Sequence, residues 1–170
     1  RFVAAGRLVN QKGFDRLLNI FADSDPLDHL TILGDGPKRA MLASLAIRLG
    51  ISDRVTFEGF VTRPWPWFAG ADAVLLTSRW EGMPNVALEG LACGAQVIAT
   101  PESGGISEVA AEAPRDAIMI APIGDEYILR LKDVKASQVS DLRPSLLPAS
   151  FELTQVVSGF ENLLSVTSTS

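Results

Sequence analysis

Four charged residues carry the chemistry this sequence suggests: Arg7 and Lys12 in "GRLVNQKGF", and Glu81 and Glu89 in "SRWEGMPNVALEG". An arginine offers a planar fork of donors and a lysine a mobile point charge, so two cations bracketing one turn suit a diphosphate. Pro84, between the two acids, reads as the first residue of a helix. The N–H groups of Asn85 and Val86 then fall in a first turn with no intrahelical partners, at the positive end of the helix, which is a seat for phosphate. Glu81 stands before that turn and Glu89 inside the helix, one on each side of the seat. A carboxylate accepts hydrogen bonds from two adjacent hydroxyls, as a sugar or ribose presents them. A diphosphate seat flanked by two acids suits a nucleotide-sugar, with ribose on one flank and hexose on the other. Taken singly, each of these charges would be a solvated surface group; the helix start between the acids joins them.

These residues must be positioned by a scaffold, and the sequence outlines one. Six short apolar segments recur: "FVAAG" (2–6), "LTILG" (30–34), "RVTFEG" (54–59), "DAVLLTS" (72–78), "QVIAT" (96–100) and "AIMIA" (117–121). Most lack clean alternation, as strands covered on both faces do. Helical stripes lie between them. Phe14, Leu17, Leu18 and Phe21 form one, and Met41, Leu42, Leu45 and Leu49 another that follows Pro37. Strand and helix in alternation predict an α/β fold, a doubly wound, Rossmann-like parallel sheet of about six strands. The unusual residues follow the strands: Gly6-Arg7, Gly34-Asp35-Gly36, Gly59-Phe60, Ser78 to Glu81 and Pro101 to Gly105. In an open parallel sheet these loops share one edge, where ligands bind. Residues 137–150 read as irregular. Leu153, Val156, Val157, Phe160, Leu163 and Leu164 read as one face of a closing helix, with a frayed tail after it.

The 170 residues suffice for one domain with a sizeable core. A hydrophobic content of 47% places the chain among globular proteins. With net charge −5 and no Lys/Arg cluster, nucleic acid is a poor partner for it. No long apolar span marks a membrane segment. The single cysteine, Cys93, reads as a buried, inert thiol, in keeping with a reducing, cytoplasmic setting. His29, at a strand entrance, reads as a surface residue on the edge away from the cleft. The chain starts at Arg1 and runs straight into an apolar segment, which reads as a piece of something longer.

The ordered motifs "GRL…KGFD", "GDGP", "RVTFEG", "EGMPNVALEGLACG", "VIAT" and "GG…E" resemble the retaining glycosyltransferases of the GT-B fold, family four (group 1). The likeness is to their C-terminal, nucleotide-sugar-binding half and covers about residues 1–125. It implies that Arg7 and Lys12 bind the donor diphosphate and stabilise the leaving nucleotide. It implies that Glu81 contacts the donor sugar hydroxyls and Glu89 the ribose. Gly82, Met83, Pro84, Asn85 and Val86 would form the turn whose amides meet sugar and phosphates. Phe60 would mark the base-contacting loop, while Gly6, Gly34 and Asp35 line the same cleft. Trp65 and Trp67 are expected to pack, with at most one of them near the base, and Glu108 to be structural. The resemblance further implies one domain over 1–170, with 150–170 as a C-terminal helix and tail. A preceding half would supply the site for an acceptor glycan, lipid carrier or small molecule. It implies a UDP- or GDP-linked donor, no cofactor, and a fragment inactive without its partner half. The whole enzyme could also lie on a membrane surface.

The reaction so implied is transfer of a sugar to an acceptor hydroxyl with retention, on the donor's front face, the leaving phosphate helping to deprotonate the acceptor. Fixed cations could stand in for a divalent ion, so metal independence is expected. Two other classes compete. A non-catalytic nucleotide-sugar-binding module would keep the same charges. A dinucleotide oxidoreductase would need a G-x-G-x-x-G turn where this chain has "GRLVNQKG".

Overall fold

The computed structural model describes residues 1–134 and 143–152. Six strands, β1 (Phe2–Ala5), β2 (Leu30–Leu33), β3 (Val55–Gly59), β4 (Ala73–Leu76), β5 (Gln96–Ala99) and β6 (Ile118–Ile120), form one sheet. The helices are α1 (Phe14–Ala22), α2 (Arg39–Arg48), α3 (Trp65–Gly70), α4 (Asn85–Ala92), α5 (Ile106–Glu112) and α6 (Asp125–Asp133). All strand pairs are parallel, in the order β3-β2-β1-β4-β5-β6. The expected doubly wound α/β fold is therefore the one observed.

The apolar runs are explained by what covers them. Phe2, Ala4, Leu30, Ile32, Ala73, Leu75 and Ile98 belong to a core cluster with α1, α2 and α6. Val3, Leu33, Val74, Leu76, Val97 and Ala99 belong to a second, with residues of α3, α4 and α5. Alternate residues of one strand thus face opposite layers, and both layers are apolar. Close helix–sheet contact fixes Gly90 on α4, where an added Cβ would lie 2.8 Å from Val74 Cγ2.

Local readings succeed on α1, where Phe14, Leu17, Leu18 and Phe21 are all buried. On α2 they need correction. Leu42 and Ala46 are the buried pair, whereas Met41 is 40% exposed and takes no place in the core. That helix starts at Arg39, two residues after Pro37. Trp67 packs on the second cluster. Trp65 does not pack as expected: it is 48% exposed, with the Arg63 guanidinium 5.9 Å from its ring centre. Cys93 is only half-buried; burial and the neighbouring Glu89 charge push its thiol up. Segment 143–148 is irregular, as read, but is pinned: Arg143 donates to the carbonyls of Phe68, Ala69 and Ala71. A 3₁₀ turn spans Ala149–Phe151, and the expected helix face from Leu153 to Leu164 lies outside the described residues.

Candidate functional site

Strand order decides where the site forms. The chain winds from β1 outward to β2 and β3, then returns to pair β4 on the other side of β1. Loops after β1 and β4 therefore diverge to opposite faces and leave a crevice between them. A cleft of about 410 Å³ opens there, lined by Gly6 and Arg7 after β1, Gly34 and Asp35 after β2, Phe60 after β3, and Val86 and Glu89 on α4. Its size is that of a small-molecule site. Ala5, Leu33, Val61, Pro64 and Phe68 make its apolar wall; no sequence signal distinguished them from core.

Crossing this edge requires backbone forms that only glycine supplies. Gly34 has φ +134°, and a Cβ there would sit 2.0 Å from the Gly6 carbonyl oxygen. The β1 and β2 loops therefore touch through backbone, which keeps the cleft floor thin. Asp35 reaches the cleft, but its carboxylate accepts the Gly36 N–H at 2.7 Å, so it braces its own loop. Phe60 projects, 78% exposed, at the far end, where a flat ring can stack on a base.

Beside the cleft, sharing Ala5 and Val86 with it, a small cavity is lined by Lys12, Ser78, Glu81 and Pro84. Lys12 lies at the end of a 3₁₀ turn (Asn10–Lys12) closed by Gly13. Lys12 Nζ is 2.6 Å from Glu81 Oε1, a pair whose side chains are 23% and 8% exposed. Ser78 Oγ donates to the same oxygen at 2.6 Å. Ser78 is itself held, its carbonyl accepting Thr100 Oγ1 at 3.2 Å, and Thr100 Oγ contacts Ser103 Oγ at the same distance. A buried polar chain thus orients Glu81 from behind. Ser78 stands among the unusual residues that follow the strands, with no role assigned from its type alone. A hydroxyl three residues before a cleft acid was the available signal.

The helix start needs one correction. Pro84, with ψ 81°, stands before α4 as its cap, and Asn85 is the first helical residue. The Asn85 N–H donates to the Met83 carbonyl at 3.1 Å, so it is turned into the chain and not to an anion seat. The turn is fixed from the next loop by Gly105 N–H to the Gly82 carbonyl, 2.7 Å. Gly82 and Met83 are exposed beside it. Glu89, one helical turn on, is half-buried, and that desolvation raises its carboxyl above the usual glutamate value.

Arg7 and Glu89 thus line the main cleft, while Lys12 and Glu81 meet in the adjoining cavity. Glu108 is exposed on α5, and His29 is exposed at the entrance to β2, its carbonyl accepting the Phe2 N–H. Among the described residues no group of three or more His, Cys, Asp or Glu is arranged to hold a metal ion. None of the described helices is long and apolar enough to cross a membrane.

A doubly wound parallel sheet with a cleft at its switch point, bordered by Arg7 and Glu89 and adjoined by the Lys12–Glu81 pair, defines an α/β domain of the ligand-binding type. The sequence pattern of the family described as "Glycosyl transferases group 1" matches residues 1–130, and the chain belongs to that family. It is similar to the lipopolysaccharide core biosynthesis glycosyltransferase LpsD of Rhizobium meliloti: 34% identical over 136 residues, 77% of this chain and 38% of that protein. It is also similar to the mannosyltransferase LpsB of the same organism, 30% identical over 153 residues, 85% of this chain and 42% of that one. Among solved structures, the apo form of the lipopolysaccharide outer core galactosyltransferase WaaB matches with TM-score 0.77 and 25% identity, over 98% of this chain and 49% of that one. HepE of Anabaena, in complex with UDP, matches with TM-score 0.77 and 23% identity, over 97% and 48%. The chain spans less than half the length of each of these proteins. Its sheet is the Rossmann-like half of a GT-B fold.

Proposed function

We propose that this chain is the donor-binding, C-terminal half of a retaining glycosyltransferase that moves a hexose from a nucleoside diphosphate to an acceptor hydroxyl. The observation that carries the reading is the contact of Lys12 with Glu81 beside a cleft bordered by Arg7 and Glu89. Cations for a diphosphate and carboxylates for hydroxyls lie along one edge in the order a nucleotide-sugar would need. The UDP held by HepE makes a uridine nucleotide the first to test, with GDP the alternative.

Phe60 stacks on the base and Glu89 accepts from the ribose hydroxyls. Arg7 and Lys12 meet the diphosphate, and Glu81 accepts from hydroxyls of the sugar. During transfer the bond from the anomeric carbon to the phosphate oxygen breaks, and charge grows on that oxygen. Arg7 and Lys12 stabilise it more than they stabilise the bound donor, which lowers the barrier. The acceptor oxygen bonds to the anomeric carbon on the same face, and its proton passes to the departing phosphate. Fixed side-chain cations carry the role a divalent ion has elsewhere, so the reaction proceeds without metal. A preceding domain presents the acceptor, and this half alone binds donor without transferring sugar.

Calorimetric titration of the chain with UDP, GDP and ADP in EDTA tests this, with Arg7→Ala beside it. One nucleotide binds, and the variant weakens it about tenfold or more, as loss of a charged hydrogen bond does. Should no nucleotide bind either this chain or the complete protein, the donor-site reading is wrong.

A further inference from the structure

Lys12 and Glu81 approach from loops far apart in the chain, and what holds those loops together lies outside the cleft. Arg79 grips Asp15 with both arms of its guanidinium, Nη1 to Oδ1 at 2.8 Å and Nη2 to Oδ2 at 2.6 Å. The same Nη1 donates to the Asn10 carbonyl at 2.8 Å. Arg79 N–H donates to the Gln11 carbonyl at 2.7 Å, and Gln11 Nε2 returns a bond to the Trp80 carbonyl at 3.0 Å. Thr77 Oγ1 reaches the Gly13 carbonyl at 3.0 Å. The turn that carries Lys12 is thus bonded at Asn10, Gln11 and Gly13 to the segment that leads into Glu81.

Within this seam only Arg79 combines a main-chain bond, a carbonyl contact and a two-pronged ion pair. Its side chain is 22% exposed and that of Asp15 34%, so the pair is partly shielded from water. Its hydrogen bonds hold the Asp15 carboxyl below the usual aspartate value. A fork of two parallel N–H donors has one good geometry, unlike a single lysine contact. The clamp therefore specifies register as well as attraction.

We propose that Arg79 is a positioning residue for sugar transfer: by clamping Asp15 and the Asn10 carbonyl it fixes the Lys12 turn against the Glu81 loop. Lys12 Nζ is thereby held where charge develops on the leaving diphosphate. This rests on the donor-site reading above. Loosening the turn lets a long lysine still reach a bound phosphate but removes its fixed placement, so the loss falls on kcat more than on donor KM. A misplacement of about 1 Å costs on the order of 10² in rate.

The test uses the complete enzyme that contains this chain, with UDP-glucose, UDP-galactose and GDP-mannose as donors, nucleotide release as the readout, and melting temperature followed throughout. Arg79→Ala lowers kcat about 30- to 100-fold with KM changed less than about threefold, by the placement argument. Arg79→Lys recovers part of it, and Arg130→Ala, which removes an exposed pair with Asp133 on α6, leaves it unchanged. In a Lys12→Ala background, Arg79→Ala costs less than about threefold more, because residues acting as a unit are not additive. Full additivity in the double variant, or a folded Arg79→Ala enzyme at wild-type kcat, overturns the clamp. If Arg79→Ala melts below the assay temperature, Arg79→Lys and Asp15→Asn carry the same comparison. A wild-type enzyme that releases no nucleotide, or a Lys12→Ala enzyme at full rate, overturns the donor-site reading and the clamp with it. A large Lys12→Ala loss with additive Arg79→Ala sinks the clamp alone.

Discussion

Replacing Glu81 by Gln separates two roles that the Lys12 contact joins. Glutamine keeps the volume and an acceptor oxygen for Ser78, and removes only the charge. An ion pair at the surface contributes about 0–1 kcal/mol, and breaking a fully buried one costs about 3–5 kcal/mol. With 23% and 8% exposure the Lys12–Glu81 pair lies between these limits. Glutamine also retains a neutral hydrogen bond, so about 1–2 kcal/mol of stability is lost, lowering Tm by about 3–6 °C in a domain of this size. Nucleotide affinity moves the other way. Lys12 is paired with Glu81, and a diphosphate must share or displace that partner while approaching its negative charge. Removing the charge returns up to the same 1–2 kcal/mol to binding, so UDP binds up to about five- to twenty-fivefold tighter at about 1.4 kcal/mol per decade. Transfer nevertheless falls by about 10² or more, because a charged acceptor for the sugar hydroxyls is lost at the reacting centre. Calorimetry with UDP, a thermal melt and a nucleotide-release assay read the three quantities. UDP binding weakened tenfold in a folded Glu81→Gln protein would refute the reasoning, since Glu81 would then be supporting the nucleotide and not competing for Lys12.

Glu89→Gln should trade function for stability. Burial raises the Glu89 carboxyl, so its contribution to stability is present below the unfolded-state value and is lost as pH rises through the folded one. The glutamine variant melts higher than wild type at neutral pH and equally at pH 4, while its UDP affinity drops about tenfold through loss of a charged acceptor. Equal melting at both pH values would remove the desolvation argument. Asp15 has the opposite sign: Arg79 depresses it, so its stabilisation is present above the unfolded-state aspartate value and lost as pH falls through the lower folded one. Wild type should therefore melt above Asp15→Asn at neutral pH, the gap narrowing as pH falls below the unfolded-state aspartate value, as thermal melts across that range would check.

The site and fold were legible to different depths. The types at Arg7, Lys12 and Glu81, in the loops after two strands, and at Glu89, one turn into a helix, already predicted an anion-and-hydroxyl site on one sheet edge. Proline misled locally at Pro84, which precedes α4 with ψ 81° and is not its first residue. Met41 and Trp65 satisfied an apolar pattern yet lie exposed, since a period tells which residues share a face but not what covers it. The Arg79–Asp15 clamp carries no local mark of its role, because its two residues lie 64 apart in the chain.

By itself the sequence determined the layers, for strand and helix periods follow from side-chain chemistry within a few residues, and the loops with functional types follow the strands. Tertiary structure alone decided which of these loops meet. Lys12 and Glu81 lie 69 residues apart, and they touch because β4 returns to pair with β1 instead of extending the sheet beyond β3. That return is chosen by the combined burial of every strand and helix, a sum over the whole chain that no local period encodes.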